Sequence, residues 1–180
     1  AGIVVMNMVG AVKHVKKALA VGVDLICCQG GEGGGHTGEV PTSILIPKVV
    51  DAVRGAKSPL TGGPVLVVGA GGIFDGRGLA MALSMGASGV WVGTRFVNAE
   101  EAGAGPYHRK LVMKAGYTDT KRTIIYTGRP MRVYNSDFVN DWEENKQDII
   151  KDYTSRGILP VPYGNEQKSV VEPLADDAPI

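Results

Sequence analysis

His36 sits inside the stretch CCQGGEGGGHTGE, residues 27–39, where six glycines surround one imidazole directly after an apolar run. An imidazole titrates near neutral pH and can take or give a proton. Glycines remove the Cβ atoms that hold a flat or anionic ligand away from the backbone. The pairing of an apolar run with a glycine turn recurs twice downstream, in GAGGIFDG (69–76) after PVLVV and in VGTRF (92–96) after VW. Two such turns in succession can hold one phosphate between them, because backbone N–H groups at strand ends and helix starts receive anions. Taken alone, Gly71 and Gly72 also fit an ordinary tight turn. A dinucleotide fingerprint built on Gly69 and Gly71 would need glycine where Phe74 stands, and no G-x-x-x-x-G-K-[ST] pattern exists for a P-loop. Glu32 is a possible second acid, but a carboxylate in a glycine loop is commonly just solvated.

The elements that must position these residues alternate along the chain. GIVVMNMVG (2–10) reads as a strand buried on both faces. In AVKHVKKALAVG, Val12, Val15 and Leu19 fall at helical spacing while Lys13, Lys16 and Lys17 form a solvated face, and Gly22 ends the helix. VDLICCQG is the next strand, SILIPKVVDAVRG (43–55) a helix bent or started at Pro47, and AKSPLTGG a turn-rich connector. PVLVVGAGGI (64–73) is a third strand, Asp75 a candidate N-cap for the helix GRGLAMALSMG, and ASGVWVGTRF (87–96) a fourth strand. Strand and helix alternate, so the fold class is α/β with parallel strands. The glycine turns then lie at the carboxyl ends of the strands, where ligands of parallel α/β proteins bind. Farther on, PYHRKLVMKAG reads as a helix, TIIYTGRPMRVY as a strand with a Gly-Arg-Pro turn, and NDWEENKQDIIKDYTSRG as one amphipathic helix with Trp142, Ile149 and Ile150 turned inward. The acid- and turn-rich end is expected to be extended.

Composition excludes several function classes. With 180 residues, 44% apolar and 21% charged, the chain suits one well-packed soluble domain. The formal net charge of +1, without a long Lys/Arg block, argues against nucleic acid or a membrane surface as partner. No apolar segment approaches the roughly 18 residues of a membrane span. Cys27 and Cys28 are adjacent in an apolar run, which suits reduced strand thiols rather than a disulfide framework or a metal site, and points to a reducing compartment, the cytoplasm. His14 on a lysine-rich face and His108 in GPYHRK read as surface residues. Arg95 and Arg129 read as surface charges that could also assist an anion.

Four motifs in order, QGGEGGGHTGE, GAGGIFDGRG, VGTRF and YTGRPMR, resemble those of the nitronate monooxygenases, formerly 2-nitropropane dioxygenases. The resemblance covers about residues 2–140 and implies an FMN-dependent (β/α)8 TIM barrel, of which this chain supplies about strands 5–8. It implies a division into a half-barrel over 1–100, a helical and strand extension over 101–160 and a tail over 161–180. Residue by residue, the family pattern implies that Gln29 and Gly34 contact FMN, that Gly72 belongs to the phosphate loop, and that Trp91, Val92, Gly93 and Thr94 close it; Gly71, beside Gly72 in the turn, is expected to meet the phosphate too. His36 matches the active-site histidine, acting as base or as the group that orients the substrate. The implied reaction is oxidation of an alkyl nitronate, or of the parent nitroalkane, with O2 to a carbonyl compound and nitrite. A related reading is an FMN-dependent enoyl-thioester or NAD(P)H:quinone reductase, and a non-enzymatic one is a binding half-barrel. A full barrel needs about 250 residues. The strands at 2–9 and 88–93 are therefore expected to be open edges, covered by an amino-terminal half of the barrel or by a second copy.

Overall fold

The computed structural model describes residues 2–162, and most of the expected tail lies outside them. The chain forms two compact units, Ala1–Ala115 and Gly116–Ile180.

In the first unit the apolar runs become four parallel strands. They are β1 (Met6–Val9), β2 (Leu25–Gln29), β4 (Leu66–Ala70) and β5 (Gly89–Trp91), with a two-residue strand β3 (Gly35–His36) in the loop after β2. A 3-10 turn (Val12–His14) and α1 (Val15–Ala20) follow β1, α2 (Thr42–Ala52) precedes β4, and α3 (Gly76–Ser84) follows it. A second 3-10 turn (Thr94–Asn98) and α4 (Pro106–Lys114) follow β5. The sheet order is β1-β2-β4-β5, so each strand lies beside its predecessor in the parallel set. Right-handed crossovers then bring α1, α2 and α3 to one face of the sheet, as in the wall of a barrel rather than a doubly wound sheet with a switch point.

The core lies on that helical face. Ile26, Cys28 and Val67 meet Leu45, Ile46 and Val49 of α2, Val15 and Ala18 of α1, and Ala82 of α3. Burying each large aliphatic side chain contributes about 1.5–3 kcal/mol. The other face is also apolar but open, with Met8 at 47% and Trp91 at 49% exposure. This corrects the expectation that residues 2–10 are buried on both faces. Only Val9 of β1 is buried, because among the described residues β1 is an edge strand whose sole sheet neighbour is β2.

Other boundaries also differ from the sequence pattern: β4 covers 66–70 of the expected 64–73, and of TIIY (123–126) only Thr123 lies in a strand. α2 begins at Thr42 and runs through Pro47; the bond lost to proline is in the first turn, where the acceptor is the exposed Ser43. β5 stops at Trp91, short of the expected residue 96, because the chain turns into the 3-10 segment at Thr94. The helix expected over 140–157 is two helices, described below. Asp75 caps α3 as expected, accepting from the N–H groups of Arg77 at 3.0 Å and Gly78 at 3.4 Å.

The second unit pairs β6 (Thr120–Thr123) antiparallel with β7 (Met131–Tyr134) across the Gly-Arg-Pro turn. Two helices follow, α5 (Asp137–Asn145) and α6 (Gln147–Ser155), broken at Lys146, whose φ of −129° and ψ of 26° leave the helical region. The break resets the helical phase. Trp142 and Ile150 are buried with Ile125, Val139 and Val161, whereas Ile149 is 41% exposed, contrary to expectation.

Candidate functional site

The register of the sheet places the carboxyl ends of all four strands together: Val9 lies beside Cys28, and Gln29 beside Ala70, which in turn lies beside Trp91. The loops leaving these ends pack on one another at glycines. A Cβ on Gly38 would lie 2.2 Å from the Gly10 carbonyl oxygen, and one on Gly30 would lie 2.0 Å from Thr42 Oγ1. Gly71 presses its missing side chain on Gly30, 2.8 Å from its carbonyl oxygen, and Gly34 presses on Thr94 Oγ1 at 2.9 Å. Much of the glycine content is therefore required by loop-to-loop contact within the protein, a use the sequence pattern did not separate from ligand approach.

Gln29, the last residue of β2, is the peg of the histidine loop. Its side-chain amide donates to the carbonyl of His36 at 2.9 Å and to that of Gly34 at 3.4 Å. A Cβ on Gly33 would lie 2.4 Å from Gln29 Nε2, so a side chain there would have to displace this peg. Thr37 closes the far side by donating from its hydroxyl to the Gly30 carbonyl at 2.7 Å. The outcome is a tightly tethered backbone that presents the exposed His36 at the strand ends.

The two later glycine turns singled out from sequence lie at the same edge. Gly71 and Gly72 follow β4 with φ of +95° and +70°, the left-handed region that favours glycine. Gly93 differs from them: nothing lies within 4 Å of its would-be Cβ, and its φ is −103°. Among the described residues, the backbone N–H groups of Gly72 and Gly93 donate to no protein acceptor. Free N–H groups beside an open glycine are what an incoming phosphate needs, so the donor set fits the phosphate of FMN. Trp91 and Thr94 are exposed and Val92 is half-buried beside them. Arg95 is also exposed at this edge.

Glu32 is more than a solvated loop carboxylate. Pro41, the residue before α2, has no side-chain acceptor, and Glu32 takes over the capping, receiving the Thr42 N–H at 2.9 and 3.1 Å and lying 2.8 Å from its hydroxyl. Thr42 itself escaped the sequence reading; its only signal is a threonine directly before an apolar helix.

Two features lie away from this edge. At the amino end of β2, buried Asp24 accepts from Ser58 Oγ at 2.5 Å, from the Val5 N–H at 2.8 Å and from the Leu60 N–H at 3.1 Å. The Ser58 bond, then that from Val5, holds its carboxyl below the ordinary aspartate range against the opposing effect of burial. Its position is that of a stabilising clamp. Cys27 and Cys28 are wholly buried and unpaired by disulfide. Burial pushes the Cys27 thiol up to about 12, with help from Cys28, and Cys28 up to about 11. These are packing residues rather than nucleophiles. His14 and His108 are exposed, and His108 lies within α4 rather than in an irregular segment. Among the described residues there is no cluster able to hold a metal ion and no helix long and apolar enough to cross a membrane.

A sequential parallel α/β sheet with its loops gathered at the strand carboxyl ends places the chain in the barrel-type class of α/β folds. Within that class the chain belongs to the nitronate monooxygenase family, whose description matches residues 1–172. It is 44% identical over 145 residues to a (3aS,4S,5R,7aS)-5-hydroxy-7a-methyl-1-oxo-octahydro-1H-indene-4-carboxyl-CoA dehydrogenase of Rhodococcus jostii (strain RHA1), covering 81% of this chain and 38% of that protein. It is 34% identical over 171 residues to a protein of Bacillus subtilis (strain 168) named "Probable nitronate monooxygenase", covering 88% and 44%. Among solved structures it is similar to FabK from Thermotoga maritima, with a TM-score of 0.69 and 31% identity over 88% of this chain and 50% of that one. The chain thus spans half or less of the length of these relatives.

Proposed function

We propose that this chain carries the phosphate turn and the proton-moving histidine of an FMN-dependent oxidoreductase that oxidises alkyl nitronates or their parent nitroalkanes with O2. The observation that carries the reading is the convergence of the tethered His36 loop with the glycine turn at Gly71 and Gly72 and the free N–H groups of Gly72 and Gly93 at one edge of the sheet. In this reading the flavin phosphate lies on the backbone of Gly71, Gly72, Gly93 and Thr94. Gln29, Gly34, Trp91 and Val92 border the rest of the cofactor. Bound FMN supplies a two-electron sink that can also pass electrons singly to oxygen. His36 takes the proton from the α-carbon of a neutral nitroalkane, which the nitro group acidifies, or orients the nitro group of a preformed nitronate. Gln29 fixes the backbone from which the imidazole projects, and the apolar face bearing Met8 and Trp91, once covered by the rest of the barrel, would keep water from the reacting carbon. The four strands would be the fifth to eighth of an eight-stranded barrel, with β1 and β5 paired in the whole protein to further strands.

A second reading follows from the relative at 44% identity, whose name gives a carboxyl-CoA substrate. A thioester carbonyl also acidifies its α-carbon, so the same histidine would serve a flavin-dependent dehydrogenase or reductase of CoA thioesters.

One experiment separates these readings. The purified protein is mixed anaerobically with ethylnitronate, with an acyl-CoA, or with NAD(P)H, and the flavin absorbance is followed. Bleaching by nitronate alone supports the first reading, whereas bleaching by acyl-CoA or NAD(P)H without any by nitronate moves the assignment to the thioester enzymes. A colourless protein that takes up no FMN sinks both and leaves a binding module. In His36→Asn, turnover of neutral nitroalkane should fall about 10²–10⁴-fold, the usual worth of a general base, and that of nitronate far less. Equal losses on both would mean that His36 binds rather than deprotonates.

A further inference from the structure

We propose that Thr42 is a positioning residue that locks the turn at Gly71 and Gly72 to the loop bearing His36, with Glu32 holding it in place. This rests on the reading of that turn as the seat of the flavin phosphate. Thr42 is 3% exposed and begins α2. Its N–H is bound by both oxygens of Glu32, a residue of the histidine loop. Its hydroxyl oxygen lies 2.8 Å from Glu32 Oε2 and 2.8 Å from the carbonyl oxygen of Gly71, 29 residues farther along the chain. One hydroxyl hydrogen thus faces these two acceptors, with the Ala70 carbonyl a third at 3.5 Å, and a single buried atom joins the histidine loop to the first residue of the turn.

Packing leaves this junction no slack. Gly30 fits against Thr42 Oγ1 only without a side chain, Gly71 fits against Gly30 in the same way, and a Cβ on Gly72 would lie 3.1 Å from Glu32 Cβ. The Gly30 N–H further binds the Ala70 carbonyl at 2.9 Å. Shifting the turn against the loop therefore breaks the bond to Gly71 or drives backbone into backbone. Starting α2 requires only the bond from the Thr42 N–H to Glu32. The hydroxyl bond to Gly71 adds nothing to the helix, and a buried hydroxyl is unfavourable unless bonded. Its effect is on the turn: it fixes the Gly71 peptide, and with it the direction of the Gly72 N–H that meets the phosphate.

The test compares Thr42→Val, which keeps the shape and removes the hydroxyl, with Thr42→Ser, which keeps the hydroxyl. Val49→Ala, a buried core change in the same helix, controls for general destabilisation. Backbone hydrogen exchange over residues 30–38 and 70–74 is measured in the flavin-free protein, and FMN is titrated separately by its fluorescence. In Thr42→Val, exchange in both segments should rise together about tenfold and FMN affinity should fall about tenfold, the effect of one lost buried hydrogen bond. Thr42→Ser should restore both to within about threefold, and Val49→Ala should lower the melting temperature without weakening FMN binding. Glu32→Gln, at an exposed residue, should move both readouts in the same direction and remains informative if the valine variant does not fold. Wild-type exchange in both segments, a rise confined to one of them, or an equal loss of FMN in Val49→Ala would overturn the proposal. Joint exchange rescued by serine with unchanged FMN affinity would uphold the linkage and instead remove the phosphate from this turn.

Discussion

Substituting Gly93 by valine separates exclusion of a ligand from damage to the fold, because the two candidate phosphate turns differ in what surrounds them. At Gly93 nothing lies within 4 Å of the added Cβ and φ is −103°. The side chain would enter open space on a backbone that any residue adopts, so stability should change by no more than about 0.5 kcal/mol. At Gly72 φ is +70° and the Cβ would crowd Glu32. A non-glycine residue in that region costs about 1–2 kcal/mol, and Gly72→Val would confound folding with binding. If the flavin phosphate accepts the Gly93 N–H, a valine there both obstructs the approach and removes a charge-assisted hydrogen bond worth about 1.5–3 kcal/mol. That converts to roughly a ten- to 150-fold weaker affinity. Thermal unfolding of the flavin-free protein reads the first quantity, and titration with FMN followed by flavin fluorescence reads the second. A Gly93→Val protein with wild-type melting and wild-type FMN affinity would refute the phosphate assignment outright. A protein that loses both would show that Gly93 matters to the fold in a way its open surroundings do not reveal.

Other outcomes follow from the same geometry. Gly30→Ala should destabilise the protein by about 1–3 kcal/mol in chemical unfolding, since its Cβ would lie 2.0–2.5 Å from three atoms of Thr42; a change below about 0.5 kcal/mol would show that the junction at α2 yields easily. Asp24 has its carboxyl held below the ordinary range in the folded state, so its stabilisation is present above the unfolded aspartate value of about 3.9 and fades as pH falls through the lower, folded value. Unfolding curves between neutral and acid pH should accordingly flatten at their acid end in Asp24→Asn, and an unaltered acid limb would deny Asp24 that role. With thiols raised to about 12 and 11 and both side chains buried, Cys27 and Cys28 should resist a disulfide reagent at pH 8 until the protein unfolds. Fast modification of the native protein would mean that the sheet opens readily.

Much of the architecture was legible along the chain because the relevant signals are local. Apolar runs closing on glycine specify strands, Asp75 specifies a helix start, and the succession of strand and helix specifies a parallel sheet with its glycine turns at one end. Exposure of β1 was not legible: GIVVMNMVG is as apolar as a central strand, and only sheet order shows that it is an edge. The break at Lys146 was hidden too, since the apolar spacing reads smoothly through it and one non-helical residue rotates Ile149 outward.

At the site, residue types near His36 and around the three glycine turns marked the chemistry, and the motif resemblance named the family. What each glycine is for depended on tertiary structure. Gly30, Gly38 and Gly71 lack side chains because another loop lies against them, whereas Gly93 faces open space. Glu32, Thr42 and Gly71 are spread over some forty positions of sequence and meet only when β2 and β4 pair in register. A local pattern records which backbone conformations and burial faces a segment favours. The partners of a buried hydroxyl or a missing Cβ come from segments distant in the chain, and packing alone selects them.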